Sequence, residues 1–195
     1  MINEAVKVKR SSFLAMICLA YKNIGLSFRQ QNKKCVSERD LLFLVFTGTT
    51  IIFLANIPVQ VARSLTIVDL NTSLFLGLIA FVSLFFIPLF LYLISGIIFL
   101  ICMLFGGTAS FIELRLALFW SLNVAGPLLI INGLLRGFFL NYVGIDYVSM
   151  AVQCAIAWII STMIAEAEQF RSKFPTFLVA VFIVMAPHFM PPTVT

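Results

Sequence analysis

From residue 41 onward the chain alternates between long uncharged stretches and short polar links, and the stretches are apolar on every side. The run "SLFLGLIAFVSLFF" at 73–86 shows neither the two-residue alternation of a half-buried strand nor the polar face of a helix in water. Such segments suit a hydrocarbon solvent, in which a spanning element must be a closed barrel or a helix that satisfies its own backbone. Barrel strands would alternate, so the pattern predicts helices. A bilayer core about 30 Å thick takes roughly 20 residues. Five segments qualify, at 41–58, 73–105, 111–135, 147–165 and 176–190. Ser37 in "SERD" can cap the first, with Asp40 reaching back to close a capping box.

The second segment is too long for an upright span, because its uncharged stretch 74–105 would make a helix of about 48 Å. Pro88 can kink it, its first turns can lie in the interface, or it can tilt steeply. Splitting it into two spans would need a turn that "IPLFLYLISG" hardly encodes.

Composition agrees: 62% of the 195 residues are hydrophobic and 11% charged, with 21 phenylalanines and a mean hydropathy of +1.09. A water-soluble fold of this size could not hide that surface. The fold class is therefore all-α, a polytopic five-helix membrane bundle over 41–195 preceded by a basic amphipathic segment over 1–40. Lys and Arg accumulate on the cytoplasmic side of a membrane. With a cytoplasmic N-terminus, Lys7, Lys9, Arg10, Lys22, Arg29, Lys33, Lys34, Arg39, Arg115, Arg171 and Lys173 fall inside, and only Arg63 and Arg136 outside. The C-terminal "PHFMPPTVT" is then extracytoplasmic, and the setting expected is a bacterial inner membrane.

In the first forty residues Phe13, Ile17, Tyr21, Ile24 and Phe28 recur every three or four positions, with Lys22 and Arg29 on another side. That spacing predicts a helix lying in the membrane surface and meeting anionic headgroups. A helix packed against the inner ends of the bundle would show the same spacing. A signal peptide is disfavoured by the basic residues from Lys22 to Arg39. Basic clustering without a nucleic-acid fold motif gives no case for nucleic acid.

Candidate chemistry is sparse. Cys18, Cys35, Cys102 and Cys154 form no CxxC pair, and the one histidine, His188, stands near three prolines at the end of the last segment. Asp69 and Asp146 fall at predicted span ends, not at a midplane where a two-aspartate protease would need them. No metal or cofactor is expected, and no enzymatic activity. Instead of ionisable groups the spans carry the amides Asn56, Asn123, Asn132 and Gln153, with Pro58 and Pro127 close to the first two. Such amides hydrogen-bond between helices, or line a path for a solute. "GLLRG" places Gly133 and Gly137 at a small-residue packing spacing, but Arg136 within it suggests a helix end, which weakens the motif.

Between the second and third segments stands "LFGGTASFIELRLALFW". A glycine at Gly106 or Gly107 can take positive φ and end a helix, and Ser110 with Glu113 spells the box that starts the next. A phosphate loop would want a lysine and a preceding strand, and has neither. This stretch, "GPLLIINGLL" and "AEAEQFRSKFPTFLVAVFI" together resemble the bacterial form of the Yip1-domain family over roughly residues 20 to 190. The resemblance implies five spans, a cytoplasmic N-terminus and architectural roles for Gly106, Gly107 and Phe111. Eukaryotic members act in vesicle traffic with small GTPases, but their acidic "DLYGP"-type segment is absent here, so GTPase binding is not implied. The expected role is organising or recruiting a membrane protein partner, or a second copy of the chain, at a cytoplasmic face that holds Arg115, Glu166, Glu168, Arg171 and Lys173 and is shared with the amino-terminal segment and the "FGGTASF" turn. The rival expectation is a small-solute transporter or channel lined by the four amides.

Overall fold

The computed structural model describes residues 13–34, 37–64, 72–139, 142 and 144–170. Every regular element among them is helical: α1 (Phe13–Lys22), α2 (Ile24–Asn32), α3 (Glu38–Ser64), α4 (Thr72–Phe81), a π turn (Val82–Phe86), α5 (Ile87–Leu104), α6 (Phe111–Phe138) and α7 (Gly144–Ala167). Four stretches, Glu38–Ala62, Leu76–Leu104, Phe111–Phe138 and Gly144–Ala167, are long and apolar enough to cross a membrane. The chain is therefore a helical integral membrane protein. The predicted span at 176–190 lies outside the described residues, as do Lys7, Lys9, Arg10, Cys35, Asp69, Arg171, Lys173 and His188.

The long second segment is one helical run. The π turn sits immediately before Pro88, and the Ile87 N–H bonds to the Val82 carbonyl, five residues back. Proline has no N–H to give and its ring crowds the preceding carbonyl. Widening the turn ahead of it accommodates both without breaking the helix. Pro58 likewise does not end α3, which runs on to Ser64, past the expected boundary at 58.

α3 and α6 make the most extensive helix pair, and they run in the same direction. Small residues let their backbones meet. A Cβ on Gly48 would lie 2.6 Å from Leu122 Cδ2, one on Gly126 3.1 Å from Ile51, and one on Gly137 2.5 Å from Pro58. At Gly133 an added Cβ would overlap the Ala55 carbonyl. The Gly133/Gly137 spacing is thus a working contact face, and Arg136 on the intervening turn does not spoil it.

The N-terminal segment forms two helices where the sequence periodicity suggests one. Asn23 breaks them: its backbone is extended (φ −155°) and its side chain accepts the Leu26 N–H, capping α2. Much of the apolar stripe packs against the bundle, the arrangement that the same spacing also allows. Met16, Ile17, Ala20 and Phe28 are buried in one core with Leu41, Leu44, Val45, Phe119, Trp120 and Val124. Trp120 is fully buried, stacked edge-on by Phe13 at 5.4 Å, and its Nε1–H donates to Ser27 Oγ at 3.1 Å. An indole in a packed core needs such a partner for its one polar atom.

Candidate functional site

Both expected capping boxes form. Ser37 N–H and Oγ donate to Asp40 Oδ2, and Ser110 N–H and Oγ donate to Glu113 Oε2 at 2.9 and 2.8 Å. The second box leaves Glu113 Oε1 free to accept the Asn32 amide at 2.9 Å, which ties α2 to the start of α6. Arg29 of α2 pairs with Glu166 near the end of α7. The amino-terminal helices, the α5–α6 turn and the end of α7 therefore meet at one end of the bundle, hereafter the basic end.

Between them lies a groove of about 540 Å³. Arg29, Asn32 and Lys33 line it from α2, Glu113 from α6, and Glu166, Gln169 and Phe170 from the end of α7. Two cations and two carboxylates balance within it. Gln169 ends α7 in the left-handed region (φ 54°), and the Phe170 N–H closes back on the Ala165 carbonyl at 3.0 Å. This is a Schellman stop with glutamine where glycine is usual, and its apolar residue Phe170 packs beside Cys102 and Leu114.

The glycine turn has two separate jobs. Gly106 takes positive φ (79°) and turns the chain, whereas Gly107 gives room. A Cβ on Gly107 would overlap the Glu168 carboxylate and lie 2.9 Å from the Cys102 carbonyl oxygen. Glu168 is 2% exposed; its Oε2 accepts the Ala109 N–H at 3.0 Å, Thr108 Oγ1 donates to its carbonyl at 3.3 Å, and its Oε1 has no partner. The turn is a receptor for the protein's own carboxylate.

Two residues expected on an exposed docking face are therefore inside. Glu168 is one. Arg115, 8% exposed, is the other: it makes a two-pronged pair with Glu38 of α3 and lies 4.3 Å from the Phe111 ring centroid. A guanidinium on the first turns of an apolar span is held by a carboxylate and an aromatic face because hydrocarbon offers no water. Glu166 remains at the groove, joined by Arg29, Asn32, Lys33 and Gln169, which the sequence reading did not single out for it. The spacing of the amino-terminal segment sets Arg29 on its polar side, but nothing along the chain signals that Asn32 meets Glu113.

Three of the four amides make hydrogen bonds of their own. Asn123 is fully buried between α3 and α6, donating to the Leu44 carbonyl at 2.9 Å and the Phe119 carbonyl at 2.8 Å. Asn132 accepts from Ser149 of α7 at 3.0 Å, and Asn56 is exposed, donating to its own helix at Ile52. Gln153 stands on α7, half-buried. Pro127 removes the N–H that the Asn123 carbonyl would receive. One residue on, the Val124 carbonyl takes the Tyr21 hydroxyl at 2.8 Å. Among the described residues no cluster of three or more His, Cys, Asp or Glu could hold a metal ion. No family model, curated protein or solved structure matches this chain.

Proposed function

We propose that this chain is a non-enzymatic membrane protein of Yip1 type that recruits a protein partner at its basic end, oriented with that end in the cytoplasm of a bacterial cell. The observation that carries the reading is the convergence of α2, the glycine turn and the end of α7 around one charged groove. The Arg29–Glu166 pair, the Ser110–Glu113 box and the Asn32–Glu113 bond hold its walls, so the groove is a preformed surface and not a loose loop. Its opposing charges favour a partner carrying both signs over a simple anion. The engagement of Asn56, Asn123 and Asn132 with helix backbone or a serine supports recruitment over solute transport.

Co-purification from gentle detergent tests this. The chain is expected to bring down a membrane or cytoplasmic protein, and the yield of that protein should fall with Lys33→Glu and with Glu166→Lys while the chain itself stays folded. Recovery of the chain alone, or a partner indifferent to both changes, overturns the reading.

A further inference from the structure

We infer that α1 and α2 form a helical hairpin immersed in the leaflet at the basic end, its outer face turned to acyl chains. α6 supplies the ruler. Arg115 and Arg136 bracket its uncharged stretch, and at 1.5 Å per residue they stand about 31 Å apart, the thickness of a hydrocarbon core. Three contacts then give depths for the hairpin. Asn32 bonds to Glu113, just above the Arg115 level. Ser27 bonds to Trp120, about 7 Å below that level, and the Tyr21 hydroxyl bonds to the Val124 carbonyl, about 13 Å below it. The contacts deepen steadily from the open end of the hairpin to its tip, so the hairpin runs down the flank of α6 and does not lie across its end.

The outward side chains of α2 change along the same axis, from exposed Leu26 (47%) near the tip to Arg29, Gln30, Lys33 and Lys34 at the shallow end. On α1 the exposed groups are Leu14 (70%) toward the open end, then Cys18, Tyr21 (49%) and Lys22 toward the tip, where Asn23 is exposed too. α1 is thus apolar on its outer side as well as on the side packed against the bundle, a pattern of helices surrounded by hydrocarbon. α6, which the hairpin flanks, is itself long and apolar enough to cross the membrane. Lys22 is the one cation near the tip among the described residues, and its long stem carries the ammonium part of the way back along the hairpin toward the headgroups. Neither helix is longer than half a span, so the hairpin enters one leaflet without crossing the membrane. The inference stands apart from recruitment: the hairpin can be immersed whether or not the groove takes a partner.

Two measurements test it. In proteoliposomes, a nitroxide on Cys18, with Cys35, Cys102 and Cys154 replaced by alanine, is expected to collide with oxygen several-fold more than with a water-soluble nickel chelate. The same label on Lys33→Cys is expected to show the reverse order, and on Leu93→Cys of α5 the same order as Cys18. Nickel access at Cys18 equal to that at Lys33→Cys overturns the inference. The second measurement uses the unaltered chain with a phospholipid carrying a photoactivatable group midway along one acyl chain. Adducts on the peptide 13–22 support immersion, and adducts confined to the long spans overturn it.

Discussion

Gly133 of α6 rests on the Ala55 carbonyl of α3 so closely that an added Cβ would lie 2.7 Å from the carbonyl carbon. The obstacle is backbone, which cannot swing aside as a side-chain end can. Gly133→Ala is therefore expected to force the two helices apart and to cost about 1–3 kcal/mol. Gly77→Ala and Gly96→Ala, where nothing lies within 4 Å, are expected to be neutral or to gain helix propensity. Thermal unfolding of the three variants in detergent checks this, and equal melting points would remove the α3–α6 contact as the reason for glycine at 133.

The two ion pairs at the basic end should differ in weight. Arg115 is buried and Glu38 half-exposed, whereas Arg29 is 64% exposed beside Glu166. Glu38→Ala leaves a buried guanidinium with only aromatic neighbours, at an expected cost of about 1–3 kcal/mol after allowing for water around Glu38. Arg29→Ala is expected to cost about 0.2–1 kcal/mol, and less at high salt. A double-mutant cycle for each pair, at low and high ionic strength, separates the two.

Glycines 106 and 107 should fail for different reasons. Gly106→Ala meets only backbone strain in the left-handed region, at about 1 kcal/mol. Gly107→Ala displaces the Glu168 carboxylate and crowds the Cys102 carbonyl, so its cost should exceed that of Gly106→Ala. Combining Gly107→Ala with Glu168→Ala is expected to cost less than the sum of the two single changes, because the first has already disturbed the contact that the second removes.

Tyr21→Phe removes the hydrogen bond from the hairpin to the Val124 carbonyl, one residue past the carbonyl that Pro127 frees, at about 0.5–1.5 kcal/mol. The loss falls on the hairpin, so cleavage by trypsin after Lys22 or Arg29 should quicken before the long helices unfold. Asn123→Leu, which frees the Leu44 carbonyl inside the bundle, should instead lower the melting point of the whole domain and leave the hairpin's cleavage rate in step with it.

Some of this architecture could be read along the chain. Uncharged stretches of span length, the two boxes at Ser37 and Ser110, and the break at Gly106 depend on neighbours within four residues or on the solvent each stretch can tolerate, so they follow from local order. The groove was half legible: charge and topology brought the link at Glu166, the amino-terminal segment and the glycine turn to one face, but the pairing of Asn32 with Glu113 and the burial of Arg115 and Glu168 were not legible. Those were hidden because Arg115 finds Glu38 seventy-seven residues away, and Asn32 finds Glu113 across eighty-one.

What the sequence by itself determined is that hydrocarbon surrounds helical spans, since apolar area and backbone satisfaction admit no other solution for such stretches. Only the tertiary structure decided which polar group answers which, that Gly133 and Gly137 form a contact face despite Arg136, and that the amino-terminal stripe turns onto Trp120. Periodicity gives a helix its apolar side but carries no information about what that side will meet, because the partner is chosen by packing between residues far apart in the chain.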